Sequence, residues 1–398
     1  MDQTKALSNI TILDLSRVLC GPYCTMLLAD MGAQIIKVEN PDGGDDTRSW
    51  GPMRNDASVY FASITRNKRS VTLNLKDPEA KALFKKLVAK ADVVLENFRP
   101  GVMKKMGLGY EDLKKVNDKI IYACVSGFGT EGPYSQRPGY DLIAQAMSGV
   151  MSVTGWPDGP PTHVGISIGD IMSGQNIAIG ILSAINARNL TGQPQYVEVA
   201  LVDTIVSGLT TVVLPYTENG TVPTRMGNRM ATLAPYESYA AKDGEMIIAC
   251  GNQKLFEYLC DRILQRPELK EDPRYLTMPD RTVNYASLKE YVEEWTRQHT
   301  VDEAVDIVLA AGIPAAPIFD MSQVVNNEHI AKVRQMYVPL DHPVIGEMTV
   351  TGNPIKMDCV TPEEWTPAPS LGEHNAEVFG ALGVDAATLE QLKKDGTI

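Results

Sequence analysis

The sequence predicts an α/β protein, with a large domain built on a mostly parallel sheet and a smaller α+β domain. Strand-like apolar runs alternate with helix-like periods through residues 10–125, which is typical of parallel sheets covered by helices. The 398 residues, 44% of them hydrophobic, are enough for two or three domains with ordinary soluble cores. The composition changes near Pro223, and a second α+β region continues to about Ala315.

The first elements form a βαβ unit. We predict a strand at 10–15, a turn at Gly21-Pro22, a helix at 23–31 and a second strand at 34–39. The unit contains neither GxGxxG nor GxxxxGK[ST], so the usual dinucleotide and P-loop fingerprints are absent.

The alternation then continues. The predicted elements are a strand at 70–75, a helix at 78–91 capped by Asp77, a strand at 93–96, a short helix at 110–116 and a strand at 120–125. Ligands of parallel sheets bind beyond the carboxyl ends of the strands, so the loops 97–101 and 126–141 are candidate site loops. Their glycines and prolines equally fit ordinary turns, and both interpretations stay open.

One carboxylate, Asp170, lies in a run of apolar and very small residues, 162–185. An ionised carboxylate away from water costs several kcal/mol unless it is hydrogen-bonded or used. Asp170 is therefore the first candidate for chemistry. The competing interpretation is an N-cap for a buried helix at 171–186, and the two roles are compatible.

Charge and composition argue against several other classes. The net charge of −12 disfavours a nucleic-acid partner. The N-terminus lacks a secretory pattern and no uncharged apolar run approaches the ~20 residues of a membrane span, so we expect a soluble, cytoplasmic protein. The six cysteines read as reduced core residues, and the five histidines are scattered, so we expect no metal site and no recognisable hydrolase triad.

A family resemblance covers almost the whole chain. It rests on segments in this order: DLSRVLCGPYCTMLLADMGAQIIKVE, GDDTR, NKRSVTLNLK, NFRPG, MGLGY, SGFGTEGPY, GYDLIAQAMSG, GISIGDIMSG, APYESY, GIPAAPI and LGEHNAEV. The chain thereby resembles the class III coenzyme A transferases. The resemblance implies a Rossmann-like large domain built from both chain ends (1–222 and 316–398, the latter including a linker), a small domain at 223–315, and a homodimer of two interlocked subunits.

The implied reaction moves CoA from an acyl-CoA donor to a free carboxylic acid. Asp170 matches the family's catalytic aspartate, which would form a mixed anhydride and then an aspartyl-CoA thioester. CoA esters are substrates, and no tightly bound cofactor is implied. The segments RMGNRMATLAPYESY and CGNQKLF resemble the branch that uses oxalate and other small dicarboxylates, with a hydroxy acid, a carnitine-like acid or another larger acid as the alternative.

The resemblance also implies binding residues. Those for CoA are Val18, Leu73, Lys76, Asn97, Phe98, Lys105, Tyr140 and Asp141. Those for the acceptor acid are Arg17, Arg225 and Arg229, with Gly251 and Asn252 in a loop that would cover Asp170. The ordinary alternatives are solvated surface lysines, salt bridges of the arginines and a β-turn at 251–252, and the family's GGGG loop sequence is absent.

Two other functions stay open. An α-methylacyl-CoA racemase needs a general base, and typically has histidine before the aspartate of the GYD motif, where this chain has Tyr140. A free tyrosine ionises near pH ~10 and is a poor base, which favours the transferase. A non-catalytic acyl-CoA binding protein would gain nothing from a desolvated Asp170 and is the least favoured.

Overall fold

The structure is a computed structural model that describes residues 5–360 and 364–398. The strands are β1 (Thr11–Asp14), β2 (Gln34–Glu39), β3 (Met53–Arg54), β4 (Ala57–Ser58), β5 (Lys68–Thr72), β6 (Val93–Glu96), β7 (Ile121–Ser126), β8 (Gln195–Ala200), β9 (Tyr236–Ala240), β10 (Glu245–Ala249), β11 (Ala315–Pro317), β12 (Tyr337–His342) and β13 (Gly346–Thr351).

The α-helices are α1 (Cys20–Asp30), α2 (Val59–Ile64), α3 (Pro78–Val88), α4 (Val102–Lys105), α5 (Tyr110–Leu113), α6 (Asp141–Ser148), α7 (Val150–Val153), α8 (Ile168–Thr191), α9 (Leu201–Gly208), α10 (Leu214–Asn219), α11 (Gln253–Tyr258), α12 (Met278–Val283), α13 (Tyr285–Thr296), α14 (Val301–Ala310), α15 (Met321–Asn326), α16 (Asn375–Gly380) and α17 (Ala386–Lys394). Short 3-10 segments lie at Asp46–Ser49 and Pro267–Lys270, and π segments at Leu259–Leu264 and Glu328–Val333.

The first compact unit contains the parallel sheet. Among the described residues, six strands pair in the order β5-β2-β1-β6-β7-β8, and every neighbouring pair is parallel. The α/β prediction with a parallel sheet is confirmed. The chain builds outward from β1 in one direction and then restarts from β6 in the other, so the order reverses between β1 and β6. Such a reversal leaves a crevice at the carboxyl ends of the two strands.

Both faces of this sheet are covered, as the alternation of its side chains requires. In β1, Ile12 belongs to one apolar cluster and Leu13 to the other. The first cluster includes residues of α1, α8 and α9; the second includes residues of α3, α16 and α17. The segment 364–398 thus contributes Val378, Phe379 and Leu392 to the core of the first unit.

The second compact unit comprises 151–162 and 219–327. Its sheet is antiparallel, in the order β11-β10-β9, and packs against α11, α13 and α14 around Tyr239, Met246 and Ile248. The first unit comprises 1–150, 163–218 and 328–398. The boundaries predicted at 222/223 and 315/316 stay predictions.

Helix α8 carries the run that was singled out in the sequence. Its residues Ser173, Ile177, Ile181 and Ala184 are buried on one face, and α1 packs against it. A Cβ on Gly174 would lie 2.7 Å from the carbonyl oxygen of Cys20, so glycine permits the close approach of the two helices. By length and composition this helix could cross a membrane, which the sequence had not led us to expect, although a core helix of a soluble protein passes the same test.

Several element boundaries differ from the predictions. Gly21 and Pro22 lie in the first turn of α1, not in a turn before it. Proline is tolerated there because the backbone N–H that it lacks would have no partner within the helix. Strand β5 covers 68–72 instead of 70–75, so Leu73 lies just beyond its carboxyl end. Strand β8, at the edge of the sheet, was not predicted at all.

Candidate active site

Asp170 is the third residue of α8, and its side chain is half-buried. Within the described ranges, no group donates a hydrogen bond to its carboxylate. Burial, with a smaller contribution from the negative charge of Asp141, raises the pKa of Asp170 to about 7. Ionising this carboxylate therefore costs free energy, and its oxygens accept no hydrogen bond from the described residues, which suits a nucleophile.

The predicted N-cap role of Asp170 is wrong, because Asp141 supplies the cap. Helix α8 begins at Ile168 after Ser167, whose side chain makes no capping hydrogen bond. Instead, Asp141 Oδ1 accepts the backbone N–H groups of Gly169 at 2.7 Å and Asp170 at 3.3 Å. The other oxygen, Oδ2, accepts Gln145 Nε2 at 2.7 Å. Asp141, predicted as a CoA contact, is thus engaged with protein groups through both oxygens.

Asp170 opens into a cavity of about 370 Å³ at the carboxyl ends of β1, β6 and β7. The lining includes the predicted residues Arg17, Val18, Asn97, Phe98 and Tyr140. Tyr140 is 67% exposed and precedes α6. Several separate stretches of the chain therefore line one cavity with Asp170, at the crevice that the strand order predicts.

A second cavity, of about 290 Å³, adjoins the first. The two cavities share the lining residues Arg17, Asp46, Phe98 and Val102, and together they are called the cleft. Leu73 and Lys76 line the second cavity and Asp170 lines the first, so these two predicted residues lie in the part of the cleft away from Asp170. Lys105 is exposed at the end of α4 and is absent from the lining of both cavities in the described part of the chain.

Val18, which lines the cleft, is held in place by a buried ion pair between Asp45 and Lys37. Val18 has φ 69°, a left-handed conformation that is strained for a β-branched residue. Its N–H donates to Asp45 Oδ1 at 3.2 Å, and Lys37 Nζ bridges Asp45 Oδ2 at 2.9 Å and the Ser16 carbonyl oxygen at 2.8 Å. Burial alone would raise the pKa of Asp45, but the Lys37 ammonium lowers it, so this carboxylate stays charged.

Asn97 joins the two loops at the sheet's point of reversal. Its Oδ1 accepts the Arg17 N–H and its Nδ2 donates to the Arg17 carbonyl oxygen, both at 2.8 Å. The Arg17 guanidinium pairs with Asp46 at 3.2 Å and lies 5.9 Å from the Phe98 ring centroid. Asn97 therefore shapes the cleft through the backbone of Arg17.

The loop after β7 closes on itself at its base. A Cβ on Gly127 would lie 2.6 Å from the Cα of Gly139, and the reverse distance is the same. A side chain at either position would collide with the facing backbone, so this contact requires glycine at both. The loop between them carries Arg137, whose guanidinium lies 3.9 Å from the Tyr134 ring centroid.

The remaining predicted residues lie in the second unit. Arg225 donates to the carbonyl oxygens of Trp156 at 3.3 Å and Ser152 at 3.4 Å. Arg229 stacks at 3.9 Å on Tyr285. Asn252 caps α11 through the N–H of Leu255 at 3.0 Å, and Gly251 lies between β10 and that cap. That these residues bind the acceptor or cover Asp170 stays a prediction.

The sequence reasoning did not single out three residues that line the cavity with Asp170: Cys20, Arg99 and Arg137. A usable signal existed for the two arginines, because each lies in a loop that follows the carboxyl end of a strand. They add positive charge to the cavity that holds the aspartate.

Comparisons with known proteins agree with this architecture. Residues 7–375 match CoA-transferase family III. The chain is 41% identical to the acetyl-CoA:oxalate CoA-transferase of Acetobacter aceti, over 92% of this chain and 93% of that protein. It is 42% identical to the succinyl-CoA:mesaconate CoA-transferase of Haloarcula marismortui (96% and 98%) and 36% identical to the succinyl-CoA:glutarate CoA-transferase of Mus musculus (100% and 91%).

Solved structures show the same fold. A CAIB/BAIF family protein from Brucella suis is 37% identical and superposes with a TM-score of 0.83, covering 96% of this chain and all (100%) of that one. A hypothetical protein from Mycobacterium tuberculosis gives 0.82 at 31% identity, with 94% and 99% covered. The match over nearly the whole chain, on a fold with a cleft at the expected end of its sheet, shows that the protein is a CoA-transferase of family III.

Proposed function

We propose that this enzyme transfers CoA from an acyl-CoA to a small dicarboxylic acid through covalent intermediates on Asp170. One observation supports this most strongly: a half-buried carboxylate without hydrogen-bond donors opens into a cavity at the carboxyl edge of a parallel sheet. A carboxylate with this surrounding is a stronger nucleophile than one in water, because fewer donors stabilise its charge.

The steps balance without any further reactant. Asp170 attacks the donor thioester, forming a mixed anhydride and releasing CoA thiolate. The thiolate attacks the Asp170 carbonyl carbon of that anhydride, giving an aspartyl-CoA thioester and the free donor acid. The acceptor carboxylate then attacks this thioester, which yields a second anhydride and CoA thiolate. Attack of the thiolate on the acceptor's carbonyl releases the new acyl-CoA and restores Asp170.

Each carbonyl that is attacked develops negative charge, which needs donors. The start of α1 is the best-placed source, because Leu19 and Cys20 line the cavity with Asp170 and no side chain of the described residues caps this helix. The first N–H groups of a helix have no partner within it. The first N–H groups of α8 are less available, since Asp141 accepts two of them.

CoA would extend along the cleft away from Asp170. Phe98, in both cavities, and Leu73 offer apolar contacts, while Lys76 at the far end offers a cation for phosphate. CoA thioesters serve as substrates in this scheme and no other cofactor takes part. Lys105 has weaker support, because it lies outside both linings.

The acceptor proposal comes from the relatives. Oxalate, mesaconate and glutarate, which their names specify, are all dicarboxylic acids. One carboxylate reacts, and the second needs a cation. Arg17, Arg225 and Arg229 remain candidates for it, and Arg99 and Arg137 join them because they line the Asp170 cavity.

The test is direct trapping of the enzyme intermediate. After incubation with succinyl-CoA or acetyl-CoA, hydroxylamine should convert Asp170 to a hydroxamate that peptide mass spectrometry locates. A panel of acids, including oxalate, mesaconate and glutarate, should identify the acceptor. Asp170→Ala should abolish transfer while the circular dichroism spectrum stays unchanged. Full transfer by this variant would contradict the nucleophile assignment, and α-proton exchange without transfer would favour a racemase.

We also propose that the enzyme is a homodimer, as the family resemblance implies. In the single chain, α8 leaves Ile179 62% exposed and Leu190 79% exposed on the side opposite its buried face. Val206, Leu214 and Tyr216 add further exposed apolar surface in the segment that follows. Soluble proteins seldom leave so much apolar surface uncovered, and a second copy is the occupant that the resemblance supplies.

A further inference from the structure

Glu96 is a buried carboxyl group that the reaction does not use. It ends β6, immediately before the loop 97–101. Its Oε2 accepts the backbone N–H of Phe98 at 2.7 Å, and its Oε1 accepts the hydroxyl of Tyr122 at 3.0 Å. Phe98 lines both cavities of the cleft. Glu96 therefore fixes the loop at a residue that both cavities share.

Glu198, on the edge strand β8, fixes the other loop of the cleft, which follows β7. It accepts the backbone N–H of Thr130 through Oε1 and the Thr130 hydroxyl at 2.6 Å through Oε2. Thr130 lies in the loop between Gly127 and Gly139, which brings Arg137 to the Asp170 cavity. One carboxylate thus holds each of the two loops.

A pair of tyrosines connects the two carboxylates across the sheet. Tyr122 on β7 and Tyr196 on β8 are register partners, and their rings stack with centroids 5.9 Å apart at 10°. Tyr122 binds Glu96, while the Tyr196 hydroxyl lies 3.4 Å from Glu198 Oε2 and 3.2 Å from Cys124 Sγ. The contacts form one continuous path from Phe98 to Thr130.

Burying the Glu96 carboxylate costs free energy, which argues that this side chain has a role in holding the loop. Burial raises the pKa of Glu96 to about 7, although the Phe98 N–H and the Tyr122 hydroxyl oppose this shift. An apolar residue of similar size would avoid the cost but would leave the Phe98 N–H without its acceptor.

We infer that Glu96 and Glu198 are positioning residues, which hold the loops 97–101 and 127–139 at the separation that a CoA ester requires. Neither group lines the cavity of Asp170, so both act through Phe98 and Thr130. The inference rests on the proposed function, because it assumes that CoA occupies this cleft.

The experiment compares alanine and glutamine variants at both positions. Glu96→Ala and Glu198→Ala should each raise KM for the acyl-CoA about tenfold and leave kcat within about threefold, the loss expected for a hydrogen bond to a charged group. Glu96→Gln and Glu198→Gln should keep KM near the wild-type value, since an amide oxygen accepts the N–H and the amide nitrogen donates to the hydroxyl. Glu111→Ala, an exposed glutamate paired with Lys114, is the matched control and should change nothing.

Two further measurements keep the inference falsifiable. Titration calorimetry with CoA itself should show weaker binding in both alanine variants, and hydrogen exchange should be faster at the Phe98 and Thr130 amides. Should Glu96→Ala fail to fold, Thr130→Val removes the hydroxyl contact with Glu198 at a half-buried position and should still weaken CoA binding about threefold. Wild-type affinity in Thr130→Val and Glu198→Ala would overturn the inference. A wild-type enzyme that does not bind CoA would instead overturn the proposed function.

Discussion

Asp170 is set by its surroundings to ionise near neutral pH. Burial and the nearby charge of Asp141 both disfavour its anion, and no donor in the described residues offsets them. In the proposed mechanism, the burial that would make this carboxylate a good nucleophile also limits how much of it is ionised at a given pH.

Transfer should show an acid limb that Asp170 controls. The raised pKa means that protonation removes the nucleophile below about 7, so kcat/KM for the acyl-CoA should fall about tenfold per pH unit there and level off above. A rate profile between about pH 5 and 9 measures this. A rate that is flat down to pH ~5 would contradict the assignment, provided that a thermal melt shows the enzyme folded throughout.

Lys76 and Lys105 should behave differently, although the family resemblance implies a CoA contact for both. Lys76 lines the cleft and Lys105 does not. Lys76→Ala should raise KM for CoA esters by about threefold to tenfold with little change in kcat, because a phosphate contact binds substrate and transition state equally. Lys105→Ala serves as the matched control, with an unchanged KM expected. Equal effects of the two substitutions would argue against the cleft as the CoA site.

At the scale of elements, the start of α8 depends on a residue far away in the chain. Asp141 is the first residue of α6, and its carboxylate also accepts the Gly169 and Asp170 N–H groups at the start of α8. One residue therefore serves the start of two helices. This explains why Asp170 is free of the capping role: the capping oxygen comes from elsewhere.

Asp141→Asn should shift the acid limb of the rate profile to lower pH. The substitution removes the negative charge that helps to raise the pKa of Asp170, so the nucleophile should ionise more readily. Asp141→Ala should in addition lower the free energy of unfolding by about 1 kcal/mol, because α8 loses its cap. Chemical denaturation and the rate profile test the two statements separately. An acid limb at higher pH in the asparagine variant would contradict the first.

The sequence predicted those elements whose signals are local. Strands β2 and β6 were predicted with their observed bounds, since each contains adjacent β-branched or leucine residues next to a clear helix or turn boundary. The start of α8 was not, because no local pattern shows that Asp141 will cap a helix 27 residues later. Strand β8 alternates half-buried and exposed positions at the sheet edge, so its apolar signal is weak. The absence of Lys105 from both cavity linings likewise depends on packing, which no local pattern shows.

At the scale of the whole molecule, the exposed apolar face of α8 is the feature that a single chain leaves unexplained. The buried face of that helix supports the sheet, so the same element is available to join two chains. The proposed homodimer would cover Ile179 and Leu190.

Charged substitutions on this face should disrupt the dimer. Ile179→Glu combined with Leu190→Glu should convert a dimer into monomer or aggregate, because a buried unpaired carboxylate costs several kcal/mol. Light scattering after size-exclusion chromatography measures the mass. Lys393→Glu, at an exposed position of α17 on the opposite face of the sheet, is the control and should remain dimeric. A monomeric wild-type enzyme would rule the dimer out.

The glycine contact at the base of the loop after β7 has a consequence for how such enzymes diversify. Because Gly127 and Gly139 touch, the loop enters and leaves the sheet at nearly one point. The residues between them can change in number and kind without displacing β7 or α6. The length and sequence of this loop, which carries Arg137 to the cavity of Asp170, can thus change in evolution or by engineering while Asp170 and α8 stay where they are.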